Sequence, residues 1–273
     1  MKGKDLIHLL GIRPAEKRYG YRIEQFEVTP YGSIEYAQWL HPAETEKSIR
    51  GADVAALRAF LTEGDFCIDV GAHTGDTALP MALAVGPSGC VLALEPNPFV
   101  FPVLNKNATL NARHTTIVPY MLAALPEDGD ARFDYSDAGF CNGGLHGASR
   151  GRWRRGHLFT LNVAGVNLSR FVRRHFADRL PRFRFVKVDA EGQDLQVLRS
   201  IADLIDEHRP HVKAEVFKHS NRDDRERLHA FLASRGYAVH RVRGEDDYVG
   251  ERLDSADMHR WAHFDIFAVP TAR

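Results

Sequence analysis

The stretch FCIDVGAHTG, residues 66–75, decides the fold that is predicted for this chain. Its first five residues are mostly apolar and predict a buried strand, and Gly71 and Gly75 then predict a tight turn into a helix. Glycine lets the backbone turn sharply and come close to a ligand, and the first turn of the helix presents free N–H groups to an anionic part of that ligand. The stretch therefore indicates a strand–turn–helix unit built around a bound molecule.

Strands and helices alternate on the carboxyl side of this stretch. The predicted strands are 66–70, 90–94, 115–121, 183–188, 211–217, 237–242 and 264–269, and the predicted helices are 76–85, 99–111, 195–206 and 222–235. Such alternation is typical of βαβ crossovers and of a mainly parallel sheet covered on both faces. No helix separates the last two strands, so we expect them to pair antiparallel. The predicted fold class is α/β, with a mainly parallel seven-stranded sheet that ends in an antiparallel C-terminal hairpin.

Residues 1–50 are predicted to form an N-terminal extension, and residues 51–273 the main domain. Aromatic and β-branched residues at 21–28 and 33–39 flank the turn sequence TPYG, and this pattern predicts a β-hairpin in the extension. Apolar residues then recur at helical spacing over 54–61, which predicts a helix ahead of the first core strand.

The composition is that of a globular chain of 273 residues, with 44% hydrophobic and 26% charged residues, which excludes disordered, collagen-like and disulfide-rich classes. Basic and acidic residues balance at 36 each, so the net charge indicates no partner. The three cysteines (Cys67, Cys90 and Cys141) lack metal or disulfide spacing, which favours reduced thiols in a cytoplasmic protein. The N-terminus does not resemble a secretory signal. Residues 77–94 are uncharged, but a turn sequence in their middle argues against a membrane span.

Glu95 ends the strand that follows the glycine turn, and an acid at that position can accept both hydroxyls of a ribose. The turn lacks the full glycine fingerprint of a nicotinamide dinucleotide site and the Gly-Lys-Ser/Thr of a triphosphate site. S-adenosylmethionine fits better. Asp69 can accept from its ammonium group, directly or through water. The 71–75 turn can hold its methionine end, and Glu95 can bind its ribose. The candidate cofactor-binding residues are Asp69, Gly71, Ala72, His73, Gly75, Thr77, Glu95, Pro96 and Asn97.

Four blocks of the sequence resemble the FkbM family of S-adenosylmethionine-dependent methyltransferases. They are DVGAHTG at 69–75, EPNP at 95–98 with Asn105 and Asn111 after it, KVDAEGQD at 187–194, and AEV at 214–216. The resemblance covers roughly residues 50–270, and it implies a Rossmann-like class I methyltransferase fold, S-adenosylmethionine as cofactor and O-methylation. Asp194 stands where the family usually has Glu, Ser200 where Gly is common, and VNLSR at 166–170 where Leu-Asp-Asp is frequent. These departures leave the acceptor open.

Three acids lie where two neighbouring strands are predicted to end, at the sheet edge that binds ligands in open α/β folds. Methyl transfer from a sulfonium needs the acceptor close and in line, and a hydroxyl acceptor must also lose its proton to a carboxylate or a histidine. The catalytic candidates are therefore Glu191, Asp189 and Glu215, in that order. The alternative for each is an acid satisfied by backbone N–H groups or by Lys187. Enzymes that methylate amino groups of nucleic acids carry an Asp/Asn-Pro-Pro-aromatic motif after the fourth core strand, and its absence here favours an oxygen acceptor.

Residues 139–182 are predicted to form an arginine-rich insert. Ten arginines and one aspartate lie between 150 and 184, which gives this stretch about +9. Arginine suits bidentate contacts with phosphate or carboxylate, so the insert indicates an anionic acceptor such as a phosphorylated sugar, a lipid-linked glycan or a membrane surface. The alternative is a solvated face, or pairing with the acidic stretch 127–137.

The function expected from these patterns is methyl transfer from S-adenosylmethionine to a hydroxyl of a sugar, glycan or natural-product acceptor, with an anionic acceptor as one option. An RNA-binding methyltransferase is an alternative that only the arginines support, and no RNA-binding signature accompanies them. A nicotinamide-dependent oxidoreductase is a weaker alternative. No histidine or cysteine spacing indicates a metal site, and structural roles are favoured for His73 and His219. The acceptor and the oligomeric state stay open.

Overall fold

The computed structural model describes residues 16–135, 143–145 and 159–271, in which the chain forms thirteen strands and seven α-helices. The strands are β1 (Tyr21–Val28), β2 (Gly32–Trp39), β3 (Phe66–Val70), β4 (Cys90–Leu94), β5 (Ile117–Tyr120), β6 (Ala123–Leu125), β7 (Gly129–Tyr135), β8 (Gly143–Leu145), β9 (Phe159–Asn167), β10 (Phe183–Val188), β11 (His211–Val216), β12 (Tyr237–Arg241) and β13 (Phe264–Pro270). The helices are α1 (Gly51–Leu57), α2 (Ala78–Val85), α3 (Phe101–Leu110), α4 (Leu168–His175), α5 (Asp194–Ser200), α6 (Ala202–His208) and α7 (Arg222–Ala233). Two short 3₁₀ turns, Leu180–Arg182 and Asp257–His259, complete the elements described.

Seven strands form the central sheet, in the order β12-β13-β11-β10-β3-β4-β5. The five strands from β11 to β5 are parallel, whereas β13 runs antiparallel to both of its neighbours. The predicted α/β class, the mainly parallel sheet and the antiparallel C-terminal hairpin are confirmed. The strands predicted at 66–70, 90–94 and 183–188 have those same bounds in the structure.

Every residue of β3 and β4 is buried, as expected for parallel strands covered on both faces. Successive side chains point to opposite faces of the sheet. Phe66, Ile68 and Val70 therefore pack in one apolar cluster with α4 to α7, whereas Cys67 packs in a second cluster with α1 to α3. Because helices cover both faces of the sheet, polar side chains are found mainly at its carboxyl edge.

The predicted N-terminal hairpin is present, and β1 and β2 pair antiparallel from Tyr21↔Trp39 to Val28↔Gly32. Ile34 and Tyr36 of β2 are fully buried in the same cluster as α1 to α3. The hairpin therefore forms its own two-stranded sheet but shares its core with the central sheet.

Two asparagine side chains, one on α3 and one directly after it, cover the free edge of β2. Asn107 accepts from Ala37 N–H (2.6 Å) and donates to Ala37 C=O (3.1 Å), and Asn111, directly after the helix, makes the same pair of bonds with Glu35 at 3.0 and 2.8 Å. Residues four apart on a helix share a face, and residues two apart on a strand share a side. The two amides therefore take the place of a neighbouring strand.

A second sheet has four strands in the order β6-β9-β7-β8. β8 and β9 fall within the predicted arginine-rich insert, residues 139–182, whereas β6 and β7 precede it. β9 is only partly buried, so it lacks the continuous apolar run that marks the core strands. Asn167 ends β9 and caps α4, because its side chain accepts from Arg170 N–H. Leu168 and Val172 of α4 are fully buried, so this part of the insert belongs to the folded core.

The single helix predicted at 195–206 is wrong. The chain forms two short helices, α5 and α6, that meet at Ile201, where φ is −119° and ψ is 20°. Ile201 is fully buried, so packing outweighs the continuous helical pattern of this stretch. Smaller differences affect bounds: α2 begins at Ala78 rather than at 76, and β5 covers Ile117–Tyr120 rather than 115–121.

Candidate active site

A cavity of about 540 Å³ opens at the carboxyl edge of the central sheet. It is lined by residues drawn from 43–47, 70–77, 94–97, 122–125 and 187–193, and by Phe133, Tyr135, Val197, Lys213, Glu245 and Asp265. The turns that follow β3, β4 and β10 form adjacent walls, because the carboxyl ends of neighbouring parallel strands meet at one edge. The cavity thus lies where open α/β sheets bind their ligands.

The glycine turn has the backbone that its sequence predicts. Gly71 has a φ of 75° and Gly75 a φ of 91°, both in the left-handed region that favours glycine. A Cβ added at Gly71 would lie 2.0 Å from the backbone oxygen of Asp189, so no larger residue fits between β3 and β10. Gly71 lines the cavity, whereas Ala72 is 1% exposed in the core and Gly75 closes the turn by donating to Ala72 C=O.

Glu95 ties the turns after β3 and β4 together. One carboxylate oxygen accepts from His73 N–H (2.9 Å) and the other from Asn97 N–H (2.8 Å). Glu95 is 7% exposed and lines the cavity beside Pro96 and Asn97. Burial raises the pKa of Glu95, and the nearby His73 and the two backbone N–H groups oppose that rise. The predicted strand-end acid is therefore held rigidly, with its carboxylate at the cavity wall.

Asp69 lies one layer behind the cavity wall. It is fully buried, accepts from the Thr77 hydroxyl (2.7 Å) and lies 3.3 Å from Lys187 Nζ. Lys187 also donates to Gly71 C=O (3.0 Å), and both Thr77 and Lys187 line the cavity. Burial raises the pKa of Asp69. Burial alone would lower the pKa of Lys187, but Asp69 and Asp189 raise it, so Lys187 is positively charged.

The three predicted catalytic acids are not equally placed, since Asp189 and Glu191 follow β10 whereas Glu215 lies within β11, one residue before its end. Asp189 and Glu191 line the cavity, and Asp189 lies 3.5 Å from Lys187 Nζ. Glu191 has a φ of 50°, an unusual backbone conformation for a residue with a side chain. Burial raises the pKa of Glu191, and the negative charge of Asp189 raises it further. Glu215 is set back from the lining, and its Oε1 lies 3.5 Å from His263 Nδ1. Of the three acids, Asp189 and Glu191 therefore face the cavity, whereas Glu215 does not.

Asp194 connects the turn after β10 to the end of β11. It is 2% exposed, and its two carboxylate oxygens accept from Glu215 N–H (3.1 Å) and Gly192 N–H (3.2 Å). Burial is the main cause that raises the pKa of Asp194 to about 8, and the negative charge of Asp189 is the second cause. Asp194 is one of the departures from the FkbM pattern, and its shorter side chain still bridges the two strand ends.

Sequence reasoning missed the charged residues that complete the cavity. Lys213 lies beside Lys187 in the register of β10 and β11, and its Nζ contacts Glu245 (2.5 Å) and Asp265 (3.3 Å). Residues two apart on a strand share a face, so Lys213 lies on the same face of β11 as the candidate Glu215. This spacing could have identified Lys213 from the sequence. Glu245 comes from the loop after β12, and no local pattern marks it.

The segment after the N-terminal hairpin also lines the cavity. Lys47 Nζ lies 3.1 Å from Asp76 Oδ2 and 3.2 Å from Glu44 Oε1, and Glu44 lies 3.7 Å from His73 Nε2. His73 itself has a φ of 48° and packs edge-on against Trp39. This segment lies far from the glycine turn in sequence, so only the fold brings the two together.

The described arginines of the predicted insert lie away from the cavity. Arg170 pairs with Glu127 and Asp128 at 3.1 Å each, which is the pairing with the acidic stretch that the sequence left as an alternative. Arg173 pairs with Asp203 and Glu207, and Arg182 with Asp65. Arg150, Arg152, Arg154 and Arg155, together with Cys141, lie outside the described residues.

Over the described ranges, no group of three or more histidine, cysteine or acidic side chains is arranged to hold a metal ion. Cys67 and Cys90 are buried and unpaired with each other. In the same part of the chain, no helix has both the length and the apolar content needed to cross a membrane.

The sheet order with one antiparallel strand, and the glycine turn and strand-end acid at its carboxyl edge, define a Rossmann-like α/β protein of the class I methyltransferase type. Comparison with protein families matches residues 69–239 to the methyltransferase FkbM domain. The chain belongs to the FkbM family of S-adenosylmethionine-dependent methyltransferases. The family predicted from the four sequence blocks is confirmed.

Several solved structures are similar to this chain at low identity. The methyltransferase FkbM from Methylobacillus flagellatus KT has a TM-score of 0.46 and 14% identity, over 76% of this chain and 44% of that one. An O-methyltransferase from Bacillus cereus in complex with SAH has a TM-score of 0.42 and 11% identity, over 80% and 78%. Fibrillarin from Aeropyrum pernix in complex with S-adenosyl-L-methionine has a TM-score of 0.40 and 16% identity, over 93% and 99%. The chain thus spans less than half of the Methylobacillus protein, and comparison with curated proteins found no significant match.

Proposed function

We propose that this protein transfers the methyl group of S-adenosylmethionine to a hydroxyl of a sugar, glycan or natural-product acceptor. The observation that carries the proposal is the continuity of one cavity, in which Glu95 and the glycine turn form one wall and Asp189 and Glu191 form the next. When bound there, the cofactor supplies an electrophilic methyl group on a sulfonium. The residues of the chain hold the two reactants and remove the proton of the acceptor.

The residues at the ends of β3 and β4 fit a nucleoside with an amino-acid end. Glu95 keeps free lone pairs on oxygens that already accept backbone N–H groups, and it would accept the ribose hydroxyls. The left-handed glycines at 71 and 75 let the backbone of the turn, including Ala72 and His73, approach the ligand. Pro96 and Asn97 would flank the nucleoside, and Asp69 would hold Thr77 and Lys187 in place at the wall.

Glu191 is our first choice for the group that takes the proton of the acceptor. It lines the cavity next to Asp189, and the raised pKa makes it a better proton acceptor than an ordinary carboxylate. Asp189 faces the same space but is paired with Lys187, which suits a positioning role. Glu215 would act on the acceptor only through its neighbours, because it does not line the cavity.

The charges of the lining favour a neutral or cationic acceptor over an anionic one. Seven lining residues are acidic, and none of the described lining residues is an arginine. Each of the three lining lysines (Lys47, Lys187 and Lys213) lies within 4 Å of two carboxylates, so its charge is already compensated. A phosphate would have to displace one of these ion pairs, and, unlike a zwitterion, it brings no positive group to compensate the carboxylates that it displaces. The anionic option therefore depends on the arginines at 150–155.

Transfer of a labelled methyl group from S-adenosylmethionine tests the proposal. The purified protein is incubated with the labelled cofactor and a panel of neutral sugars, amino sugars, sugar phosphates, hydroxylated natural products and RNA. We expect a labelled neutral or amino-bearing product whose methyl carbon has the chemical shift of a methyl ether, and much less label with Glu95→Ala at a cofactor concentration that does not saturate the variant. A labelled amine would contradict O-methylation, and a labelled RNA would contradict the proposed acceptor class. Thermal stabilisation by a nicotinamide dinucleotide but not by S-adenosylhomocysteine would contradict the cofactor.

A further inference from the structure

We infer that Lys47 and Glu44, in the segment that follows the N-terminal hairpin, bind the charged amino-acid end of the cofactor together with Asp76. The inference rests on the proposed function, and it adds a part of the site that lies outside the matched family domain, residues 69–239. It makes the N-terminal part of the chain a direct contributor to cofactor affinity.

The three side chains form one charged group at the cavity wall. Lys47 Nζ lies 3.1 Å from Asp76 Oδ2 and 3.2 Å from Glu44 Oε1, and all three residues line the cavity. The side chains of Lys47 and Asp76 are 28% and 27% exposed, and that of Glu44 is 9% exposed. Their charges therefore face a confined space rather than open solvent, where contacts with a charged ligand are stronger.

The cofactor has matching groups at the matching end. Its amino-acid end carries a carboxylate and an ammonium group, and its ribose lies at the other end. Asp76 and Thr77 line the cavity just before α2. With the ribose at Glu95, the amino-acid end would lie near these two residues. Lys47 would then receive the carboxylate, and Asp76 and Glu44 the ammonium group. Asp69, predicted from the sequence for the ammonium group, lies behind Thr77 and Lys187.

The fold fixes the position of Lys47. The side chain of Gln38, which is 3% exposed, accepts from Lys47 N–H (3.0 Å) and donates to Lys47 C=O. Tyr36, two residues earlier on β2, donates its hydroxyl hydrogen to Thr74 Oγ1 (2.6 Å) in the glycine turn. One strand of the hairpin therefore holds both the segment with Lys47 and the turn below it, and little conformational freedom remains to be lost on binding.

The charge states agree with this assignment. Burial alone would lower the pKa of Lys47, but Asp76 and Glu44 raise it, so the ammonium group stays charged. Burial would raise the pKa of Asp76, but Lys47 and His73 hold it below its ordinary value. The carboxylate of the ligand would therefore face the charged Lys47, and its ammonium group would face the charged Asp76 and Glu44.

Two ligands separate binding of the amino-acid end from binding of the nucleoside. S-adenosylhomocysteine carries the whole amino-acid end, whereas methylthioadenosine keeps the nucleoside and lacks both charged groups. Affinities for both are measured by titration calorimetry with wild type, Lys47→Met, Lys47→Arg and Glu44→Gln. Lys106→Met is the matched control, because Lys106 is a half-buried lysine that does not line the cavity.

We expect Lys47→Met to weaken S-adenosylhomocysteine binding about tenfold or more, since one charge-assisted contact is lost, and to leave methylthioadenosine binding unchanged. Glu44→Gln should weaken the first ligand selectively too, Lys47→Arg should restore most of the affinity, and Lys106→Met should change neither. Equal loss for both ligands, or loss for neither, would overturn the inference. If wild type binds methylthioadenosine and S-adenosylhomocysteine equally well, the inference fails while the proposed function stands; if it binds neither, the proposed function itself fails.

Discussion

Glu191 is the residue on which the proposed proton transfer depends. Replacing it with Gln keeps the shape and removes the proton acceptor, so we expect kcat to fall by about 10²- to 10⁴-fold. S-adenosylhomocysteine affinity should stay within about twofold, because an isosteric change outside the cofactor wall leaves those contacts intact. Rate measurements and calorimetry on the same preparation check both expectations.

The control for Glu191→Gln is Asp189→Asn, which we expect to raise KM more than it lowers kcat. Burial, and after it Asp189, raises the pKa of Glu191. Because the ionised form accepts the proton, wild-type kcat should increase with pH, and the midpoint of that increase should lie above the pKa of an ordinary carboxyl group. A Glu191→Gln enzyme with wild-type kcat would assign the proton transfer to another group.

Glu215 makes stability depend on pH. Its side chain is 10% exposed, and burial, followed by Asp189, Asp194, Glu191 and Asp265, raises its pKa to about 9 from 4.5. The folded protein therefore keeps this proton over a range in which the unfolded chain has released it, so this group makes stability fall as pH rises from about 4.5 to 9.

Glu215→Gln cannot titrate, so its Tm should exceed that of wild type by a margin that grows between pH 5 and pH 9. Thermal unfolding across this range measures the margin, with the exposed Glu16→Gln as a control that should follow wild type. A constant difference between Glu215→Gln and wild type would mean that Glu215 is ionised at all these pH values.

Residues near the glycine turn could be predicted because their signals are local. Gly71 and Glu95 each sit at the end of a short apolar strand, and the next strand along the chain is also the next strand in the sheet. Lys47 and Glu245 could not be predicted, since neither belongs to a motif and both reach the cavity only through tertiary packing. Asp69 was predicted at the site. It is buried because Thr77, which precedes α2, covers its carboxylate, and the sequence of β3 alone does not show this contact.

At the scale of elements, Asn107 fastens the hairpin to the glycine turn. It is fully buried and bonds Ala37 N–H, Ala37 C=O and Thr74 C=O. Asn107→Leu leaves these backbone groups without partners, at about 1–3 kcal/mol for each buried group. We expect the free energy of unfolding to fall by about 3 kcal/mol or more, as measured by denaturant titration.

Asn105→Leu is the matched control for Asn107→Leu, because Asn105 is exposed on the same helix. Its effect should stay within about 0.5 kcal/mol, as for most surface substitutions. Similar losses for both variants would show that the helix, rather than the bonds to the hairpin, sets the effect.

Core strands and helices were predictable, whereas the second sheet was not. β3, β4 and β10 are buried on both faces and therefore form continuous apolar runs. β7 and β9 carry mixed patterns of exposed and buried residues, which do not separate them from loops. The break at Ile201 was also out of reach, since the helical pattern continues through it and only packing interrupts the helix.

At the scale of the whole molecule, the hairpin and the central sheet share a core. Val28, Ile34, Tyr36 and Trp39 are at most 5% exposed. Each large apolar side chain contributes about 1.5–3 kcal/mol on burial, so together they approach the total stability of a typical domain, about 5–15 kcal/mol. A chain that starts at residue 50 should therefore fail to unfold cooperatively, as followed by circular dichroism on heating.

A shortened chain with a sharp transition at the wild-type Tm would instead support a domain boundary near residue 50, which stays a prediction from the sequence. The truncated protein is compared with the full chain carrying Tyr36→Phe, which removes only the hydroxyl bond to Thr74. That variant should keep a cooperative transition with a lower Tm.

The central claim is that the cavity binds S-adenosylmethionine, with Glu95 at its ribose. Calorimetric titration of S-adenosylhomocysteine into wild type and Glu95→Ala tests it most directly, because Glu95 lies at the cavity wall with both carboxylate oxygens fixed. We predict one site per chain in wild type and an affinity at least about tenfold weaker in Glu95→Ala, since a charge-assisted bond is lost. Equal affinities in the two proteins, or no binding to folded wild type, would contradict the claim.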